Sequence, residues 1–572
     1  MKTQPTTTRR WSDRHWLAGL WLAALVLSLV GLGDVALRDW DEGIVAQVAR
    51  EIWRSQTGQP PNPLAWLYPT LNGVPYLNKP TLVHWLIAQC YAIGGVNEWM
   101  ARLPGALLSA TSVPLLYGIG RELFARRTPA IFAALTYLTW LPVVRHGRLA
   151  MLDGALVCFF LLMLYCLLRS RRDLRWGLGV GLSFGLMYLT KGAIGLLLGA
   201  IAAGFILWDT PRLLTAGYLW GGMLLGIAPV AAWYWAQWQR YGELFLGENL
   251  LNQSFSRLWN SVEGNQGPPW FYVLELLKYG VPWLIFIPQA LHLTWTHRNW
   301  SWAKLVLVWS GLYFLVISLM QTKLPWYIMP LYPALALAVG ALLAQYWHPG
   351  DFYGVKEGEP TVYPVAWRVI FGGLAIVGWV GCVVIGHWLP QLQPSLSLWL
   401  GAIALTFTVT TFLLVRKNSQ FLLVLFWGTY TTLGMVLGSP YWLWELQESF
   451  AVKPVAALIQ QAVPPQQAVA MSYPHSRPSL NFYSDRVVVS VQAFYQVRGA
   501  ALTTPEAIAR YWREVPNPYL LLEESELNAA ALSHVRVLGR SEGFVLVRRS
   551  RSVTHPDLPS STAMTQLAAI EN

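Results

Sequence analysis

The residues best suited to acid–base chemistry follow the first long apolar run of the chain, 16–37. The next segment reads RDWDEGIVAQVAREIW and carries Asp39, Asp41 and Glu42. Ionisable groups at a membrane face are costly, so they are candidates for function. A carboxylate there could act as a general base towards a hydroxyl acceptor. The same acids also suit the N-terminus of a helix, so the pattern leaves a catalytic and a capping interpretation equally open.

Four further segments carry cations that could hold a phosphate. They are YLNKP with Lys79, VVRHGRLAMLDG with Arg145, Arg148 and Asp153, LTKGAIG with Lys191, and QTKLPWYIMPLYP with Lys323. A guanidinium can bind a phosphate bidentately, and a lysine can bind one as a point charge. Simpler interpretations stay open at each place: snorkelling lysines, an ion pair within 145–153, and packing of a proline-bent helix after Lys323.

Motifs for nucleotide and metal chemistry are absent from the sequence. It contains no G-x-x-x-x-G-K-[ST] loop, no H-E-x-x-H and no C-x-x-C, and no G-x-G-x-x-G stands between a strand and a helix. The four cysteines, Cys90, Cys158, Cys166 and Cys382, all lie in apolar stretches. ATP hydrolysis, a nucleotide cofactor and a cysteine-based metal or redox site are therefore not indicated.

The composition places the chain in a membrane. Of 572 residues, 55% are hydrophobic and only 12% are charged, about half the charged share of a soluble protein. This excludes a cytosolic soluble enzyme, a disordered chain and a fibrous repeat. The runs long enough to span are 16–37, 101–120, 128–144, 152–168, 174–189, 193–208, 213–235, 278–295, 302–320, 326–346, 367–388, 396–415 and 420–439. We interpret the first as a retained helix rather than a cleaved signal peptide.

The distribution of basic residues sets the predicted topology. A further run, 81–96, is short and carries His84 and Gln89. If it lies along the outer interface rather than crossing, every basic cluster falls on the cytoplasmic side, as the positive-inside rule expects. This gives about thirteen spans and places 38–100, 236–277 and the C-terminal region outside. The formal net charge of +12 then reflects topology and contact with membrane lipids rather than nucleic-acid binding.

The C-terminal region changes character. AVAMSY, RVVVSV, PYLLLE and GFVLVRR predict strands, whereas PVAALIQQAV and TPEAIARYWREV predict helices. The predicted fold is thus an all-α polytopic membrane protein with a small extracytoplasmic α/β domain. The sequence predicts a cytoplasmic N-terminus over 1–15 and a transmembrane domain with two outer loops over 16–440. The α/β domain follows over 445–549, and a disordered tail over 550–572.

Several segments, in this order, resemble one class of enzymes. They are DEGIVAQVAREIW, YLNKPTLVHWLIA, EWMARLPGAL, GRLAMLDGAL, LTKGAIG, GPPWFYVLELLKYGVPW and TKLPWYIMPLYP, which together cover about 39–333. The chain resembles the GT-C class of integral-membrane glycosyltransferases, and within it the protein O-mannosyltransferase and lipid A aminoarabinose transferase group. The resemblance implies a polyprenyl-phosphate-linked sugar donor, used at the outer membrane face, and inverting transfer to an acceptor hydroxyl.

The resemblance also implies roles for individual residues. Asp41 and Asp153 match the acids of the first and second outer loops, and we expect both to be catalytic. Basic positions that match the family's donor-phosphate contacts are Lys79, Arg148, Lys191 and Lys323; Glu42 and Arg145 complete the expected substrate-binding set.

Two departures from the family concern metal binding. Some lipid A-modifying members carry an acid at the position of Asn78 and a histidine near Asn249, and those groups can serve as metal ligands. Asparagine is a poor zinc ligand compared with carboxylate or imidazole. A divalent metal is therefore not expected here, and lipid A is less strongly indicated as the acceptor.

We therefore predict a membrane glycosyltransferase in a bacterial inner membrane, with its active site and C-terminal domain outside the cytoplasm. The sequence leaves the sugar open, and the acceptor could be lipid, protein or polysaccharide. The alternative is a transporter or flippase for a lipid-linked sugar, which would also need a polar pocket for a phosphate. Transporters often show related halves, and the sequence has none. A non-catalytic scaffold would not need so many ionisable groups on one face.

Overall fold

The fold is that of a computed structural model. It describes residues 6–259, 265–347, 363–388, 394–443, 451–465, 467–473, 476–496, 502–529 and 532–550. The chain divides into two compact units. The helical unit comprises Met1–Asp34 and Leu103–Leu443, and the mixed unit comprises Val35–Arg102 and Trp444–Asn572. The first predicted outer loop thus belongs to the same unit as the C-terminal region. The predicted domain boundaries stay predictions, and the tail after Ser550 lies outside the described residues.

The apolar runs of the sequence form the long helices. Their bounds are Thr6–Leu29, Glu98–Leu123, Thr128–Leu138, Leu141–Gly147, Asp153–Ser170, Gly177–Lys191, Ile194–Asp209, Gly217–Tyr241, Phe271–Tyr279, Ile287–Thr296, Ser301–Leu319, Tyr332–Trp347, Val365–Val383, Pro394–Val415 and Phe421–Leu437. Within the described ranges, seven helices are long and apolar enough to cross a membrane, or eight if the bent pair Phe271–Tyr279 and Trp283–Thr296 forms one span. The chain is a multi-pass membrane protein. The figure of about thirteen spans stays a prediction.

Prolines break two of the predicted apolar runs, and the second of them is the run that the sequence predicts to be bent after Lys323. The run 128–144 forms two helices, because Trp140 is extended and Pro142 starts the second helix. The run 326–346 begins with a 3-10 segment, Pro325–Leu331, that contains Pro330. Proline lacks the N–H that a continuing helix needs and fits best in a first turn. Hydropathy alone does not register these breaks, since an apolar run stays apolar across them.

Two helices of the helical unit pack backbone against backbone. A Cβ atom added to Gly181 would lie 1.9 Å from the carbonyl carbon of Gly222, and one on Gly226 would lie 1.8 Å from the carbonyl oxygen of Gly181. Only glycine permits this approach, which is common between membrane helices. The contact fixes Gly177–Lys191 against Gly217–Tyr241. Gly192, with φ +70°, ends the first of these helices directly after Lys191.

The mixed unit contains a five-stranded sheet. The strand order is Val488–Ser490, Val469–Met471, Tyr519–Glu523, Phe544–Arg549 and Val535–Ser541; the first two pairings are parallel and the last two antiparallel. Four strands lie where the sequence predicts strands. The fifth, VRVLGRS, has no clear alternation of apolar and polar residues. It forms by pairing across the turn at Glu542 and Gly543, both of which have positive φ, as in a type I′ hairpin.

Helices cover both faces of that sheet. Alternate residues of its strands enter two apolar clusters, one with Leu520 and Leu522 and the other with Tyr519 and Leu521. The helices of the unit are Asp41–Thr57, Leu82–Gly94, Val452–Ala462, Pro478–Ser484, Val491–Gln496, Thr504–Glu514 and Glu524–Ala529. Side chains of a strand alternate between the two faces of the sheet, so each face contributes to one of the two clusters.

The short apolar run 81–96 forms the helix Leu82–Gly94, of 13 residues. That length is well below the roughly 20 residues that a membrane crossing needs. The length agrees with a segment that does not cross, and its position at the outer interface stays a prediction.

Candidate functional site

Asp153 and Lys191 form a largely buried ion pair in the helical unit. Asp153 begins the helix Asp153–Ser170 and Lys191 ends the helix Gly177–Lys191. The Nζ atom of Lys191 donates to both carboxylate oxygens of Asp153, at 2.7 and 2.8 Å. An acid in a first turn and a base in a last turn each complement the dipole of their helix. The structure thus brings together two residues that the sequence marked as site residues 38 positions apart.

Tyrosines, which the sequence analysis missed, lie beside Lys191 and Lys323. The Lys191 ammonium lies 5.3 Å from the ring centroid of Tyr327, and the Tyr313 hydroxyl donates to the Tyr327 carbonyl at 2.7 Å. The Lys323 ammonium lies 5.5 Å from the ring of Tyr272. With 25 tyrosines in the chain, no spacing signal distinguishes these three. The fold alone places the ring of Tyr327 beside Lys191 and the ring of Tyr272 beside Lys323.

Lys323 is held by backbone carbonyls. Its Nζ atom donates to the carbonyl oxygens of Ile317 and Ser318, at 2.8 and 2.6 Å, near the C-terminus of the helix Ser301–Leu319. This is a cationic helix cap. Burial lowers the pKa of the Lys323 ammonium. The contacts favour a role in holding the 321–325 turn beside the tyrosines.

The two predicted arginines of the helical unit differ in their surroundings. Arg148 is fully buried, donates to the carbonyls of Val30 and Leu437, and lies 4.3 Å from the ring centroid of Trp442. These contacts favour a role in joining segments over direct phosphate binding. Arg145 is also buried and lies 5.7 Å from the ring of Tyr279. It stands in the short helix Leu141–Gly147, which continues past the end of the predicted span 128–144.

In the mixed unit, Glu42 and Arg102 form a fully buried ion pair, with side chains 0% exposed. Two nitrogens of Arg102 donate to the two oxygens of Glu42, each at 2.7 Å. Glu42 also accepts the backbone N–H of Arg38 at 2.9 Å, and Arg102 donates to the carbonyls of Val35 and Ala36. The burial of Glu42 favours a positioning role over substrate contact: the pair fixes the backbone that leads into Asp41. The sequence analysis missed Arg102, although it lies in the family segment EWMARLPGAL.

Asp41 keeps its carboxylate partly exposed. It is the first residue of the helix Asp41–Thr57, its side chain is 24% exposed, and it lies 3.8 Å from a guanidinium nitrogen of Arg38. Neighbouring Asp39 is buried instead, with Arg477 donating to it at 2.9 Å and Ser479 also donating. Burial raises the pKa of Asp39, against the opposing effect of Ser479 and Arg477. Of the three acids at this corner, Asp41 is the most accessible candidate for a general base.

The remaining predicted positions are Lys79 and the two asparagines. Lys79 and Asn78 are half-buried in the loop between the strand Val74–Pro75 and the helix Leu82–Gly94. Asn249, in the helical unit, accepts a hydrogen bond from the Tyr234 hydroxyl at 2.8 Å. The described part of the chain contains no group of three or more His, Cys, Asp or Glu residues that could hold a metal ion. That no metal takes part stays a prediction.

The predicted site residues therefore form two groups. Asp41, Glu42 and Lys79 lie in the mixed unit; Arg145, Arg148, Asp153, Lys191 and Lys323 lie in the helical unit. The first group offers a carboxylate base on a helix N-terminus. The second offers buried cations, one of which is balanced by Asp153. A carboxylate base is the kind of group that deprotonates a hydroxyl, and cations are the kind that stabilise a leaving phosphate.

For the polyprenyl-phosphate donor that the resemblance implies, replacing Lys191 by methionine should raise the KM by about tenfold or more, because a charge-assisted hydrogen bond contributes roughly 1.5–3 kcal/mol. It should also lower the thermal midpoint, because the Asp153 carboxylate stays buried without its cation. Donor titrations and thermal unfolding in detergent measure the two effects. The double variant Asp153→Asn with Lys191→Met should recover the midpoint but not the KM.

Lys304 provides a matched control. It pairs with Asp209 at 3.4 Å with similar burial, and Asp209 keeps Arg171 as a second cation. Lys304→Met should leave the donor KM unchanged. An unchanged KM in Lys191→Met as well would exclude a donor-phosphate role for Lys191.

The sequence is similar to known glycosyltransferases. Residues 78–235 match the family model described as dolichyl-phosphate-mannose-protein mannosyltransferase. Undecaprenyl phosphate-alpha-4-amino-4-deoxy-L-arabinose arabinosyl transferase 1 of Pseudomonas fluorescens is 29% identical over 317 residues, 53% of this chain and 55% of that protein. The corresponding transferase of Pseudomonas aeruginosa is 30% identical over 289 residues, 49% of this chain and 52% of that protein. The chain thus spans about half the length of these curated relatives.

Solved structures match over a longer part of the chain. ArnT from Cupriavidus metallidurans bound to undecaprenyl phosphate has a TM-score of 0.73 at 21% identity, covering 95% of this chain and 99% of that one. The Archaeoglobus fulgidus oligosaccharyltransferase has a TM-score of 0.52 at 13% identity, covering 90% and 70%. The chain has an ArnT-like GT-C fold. The resemblance inferred from the sequence is confirmed.

Proposed function

We propose that the protein is a membrane glycosyltransferase that moves a sugar from a polyprenyl-phosphate donor to an acceptor hydroxyl. The observation that carries the proposal is the likeness in fold, over 95% of the chain, to a protein solved with undecaprenyl phosphate bound. The predicted site residues agree with it, since a partly exposed carboxylate and buried cations are the kinds of group that such a transfer uses.

The reaction would be a single displacement with inversion. The acceptor oxygen attacks the anomeric carbon of the sugar, and the bond from that carbon to the phosphate oxygen breaks. Asp41 accepts the acceptor's proton, and the polyprenyl phosphate leaves with the bonding electron pair. Lys191 and Lys79 would stabilise the charge that develops on the phosphate. Asp153 would hold the Lys191 ammonium in place through the bonds at 2.7 and 2.8 Å.

The finer assignments concern sugar, acceptor and side of the membrane. The curated relatives are named for 4-amino-4-deoxy-L-arabinose, so this sugar is the first donor to test, beside mannose as an example of a hexose. The acceptor stays open among lipid, protein and polysaccharide. The basic clusters favour an inner-membrane protein whose site and mixed unit face away from the cytoplasm.

A transfer assay in proteoliposomes tests the proposal. The purified protein is supplied with radiolabelled undecaprenyl-phosphate sugars on one side and native membrane extract as acceptor, with protein-free liposomes as the blank. We expect label to move into an acceptor while undecaprenyl phosphate accumulates. Movement of an intact donor across the bilayer with no new glycosidic bond would instead support the transporter alternative. Absence of both activities across the donor panel, with folded protein, would contradict the proposal.

A further inference from the structure

Five arginines gather at one end of the helical unit. The helix Asp153–Ser170 ends there and leads into the turn Leu174–Trp176, and the helix Ile194–Asp209 leads into the turn Pro211–Thr215. The arginines of these two connections, with one from the helix end before them, form what we call the arginine patch. They are Arg169, Arg171, Arg172, Arg175 and Arg212. The first helix, 18 residues long, separates the patch from the predicted site residue at its other end by about 26 Å.

Contacts between the two connections bring the arginines onto one surface. A guanidinium nitrogen of Arg212 donates to the carbonyl oxygen of Arg171 at 3.4 Å. A Cβ atom added to Gly177 would lie 2.8 Å from the backbone nitrogen of Leu219, so the turn that carries Arg175 packs closely against the helix that follows Arg212. The backbone contacts on both sides therefore fix where the arginine side chains emerge.

Two acids of this region each carry two cations. The pairs are Glu122 with Arg169 and Arg172, at 3.1 and 3.2 Å, and Asp209 with Arg171 and Lys304. A carboxylate balances only one unit of charge, so each of these groups keeps one positive charge in excess. Both acids are largely buried, at 8% and 10% exposure, whereas Arg172 is 68% exposed. The excess charge is therefore presented to the outside of the protein.

Arg175 and Arg212 add further positive charge. Both side chains are exposed, and within the described ranges neither forms a salt bridge. The nearby carboxylate of Asp173 accepts the backbone N–H of Arg175 at 3.1 Å and so caps the turn. With this third acid counted, the region holds six cations against three carboxylates. Such an excess attracts an anion.

Exposed apolar side chains flank the arginine patch. They belong to Leu174, Leu207, Trp208 and Trp220. The indole of Trp220 is held by a hydrogen bond to the Leu214 carbonyl at 2.7 Å. Tryptophan is enriched where a membrane meets water, so this rim places the patch at the level of the lipid headgroups. A soluble acidic protein could use the charges but would have no use for the apolar rim.

We propose that the arginine patch binds an anionic phospholipid through its headgroup phosphate. A guanidinium can bind a phosphate bidentately, and basic pockets at the cytoplasmic ends of membrane helices bind acidic lipids. Arg175 and Arg212 supply the contacts to the phosphate, and the apolar rim meets the acyl chains. The excess of cations favours a lipid with two phosphates, such as cardiolipin, over one with a single phosphate. This inference does not rest on the proposed function, since no residue of the patch belongs to the predicted site.

Lipid titration of the full-length protein in detergent tests the inference, with native mass spectrometry as the readout. The probes are cardiolipin, phosphatidylglycerol and the zwitterionic phosphatidylethanolamine. We expect affinity to fall in that order. The double variant Arg175→Gln with Arg212→Gln should bind cardiolipin about tenfold or more weakly, because each basic residue near an anionic headgroup contributes several-fold. The double variant Arg175→Lys with Arg212→Lys keeps both charges and should bind more tightly than the glutamine variant.

The matched control is Arg416→Gln with Lys417→Gln. These two residues are also exposed and follow the end of the helix Pro394–Val415, but they lie outside the patch. Their replacement should leave the affinity for cardiolipin unchanged, and thermal midpoints identify any misfolded variant. Equal affinity for cardiolipin and phosphatidylethanolamine, full affinity in the glutamine variant of the patch, or an equal loss in the control would overturn the inference. Tighter binding of poly-L-glutamate than of cardiolipin would also overturn it and favour a soluble acidic partner.

Discussion

Replacing Asp41 by asparagine should lower the rate of sugar transfer by about 10²- to 10⁴-fold, the usual contribution of a general base. Asparagine keeps the size of the side chain and can still accept hydrogen bonds at the helix N-terminus, but it cannot take a proton. Asp41 is 24% exposed, whereas neighbouring Glu42 is fully buried and bound to Arg102. Initial rates in the proteoliposome assay, measured with saturating donor, give the effect.

Two variants separate catalysis from helix capping at this position. Asp34→Asn removes an exposed carboxylate seven residues earlier and should leave the rate unchanged. Asp41→Glu should restore part of the rate, since it returns a base at a shifted position. If Asp41→Asn lowers the thermal midpoint but leaves the rate per folded molecule intact, the capping interpretation is correct and the base lies elsewhere.

Replacing Glu42 by glutamine should destabilise the mixed unit by about 3–5 kcal/mol, because it leaves the Arg102 guanidinium buried without a counter-charge. The Glu42 and Arg102 side chains are 0% exposed, so water cannot replace the lost partner. Since the pair also fixes the carbonyls of Val35 and Ala36, transfer should fall together with stability. Thermal and denaturant unfolding of the purified protein measure the loss.

The exposed pair of Arg540 and Glu524 is the matched control. Its side chains are 61% and 48% exposed, and exposed pairs contribute only about 0–1 kcal/mol. Glu524→Gln should therefore change stability little. The double variant Glu42→Met with Arg102→Met should be more stable than Glu42→Gln, because no charge is left buried. Equal, small losses in Glu42→Gln and Glu524→Gln would refute the assignment of Glu42 as a buried anchor.

Much of the helical architecture could be predicted from the sequence. Apolar runs long enough to span a membrane must fold as helices there, since the lipid offers no partner to the backbone. The acid-bearing segment after the first run begins a helix at Asp41, with both acids in the first turn, a position that acids favour. The capping box of Thr503 and Glu506 likewise marks the start of a C-terminal helix. These features depend on neighbouring residues alone, so a single sequence reports them.

The partners of the charged residues could not be predicted in this way. Glu42 meets Arg102 across 60 positions, and Asp39 meets Arg477 across 438. Composition and spacing do not predict which arginine pairs with which acid, because the arginines of the chain are chemically equivalent until it folds. The same holds for the strand Val535–Ser541, which exists only by pairing with Phe544–Arg549.

The sequence by itself thus determined that this chain enters a membrane, which residue types could transfer a sugar, and which class of enzymes it resembles. The tertiary structure decided which of those residues are committed to other contacts. It paired Asp153 with Lys191, buried Glu42 against Arg102, and bound Arg148 and Lys323 to backbone carbonyls. The physical reason is that a buried charge must find a partner, and that partner is chosen by packing between distant segments rather than by local sequence.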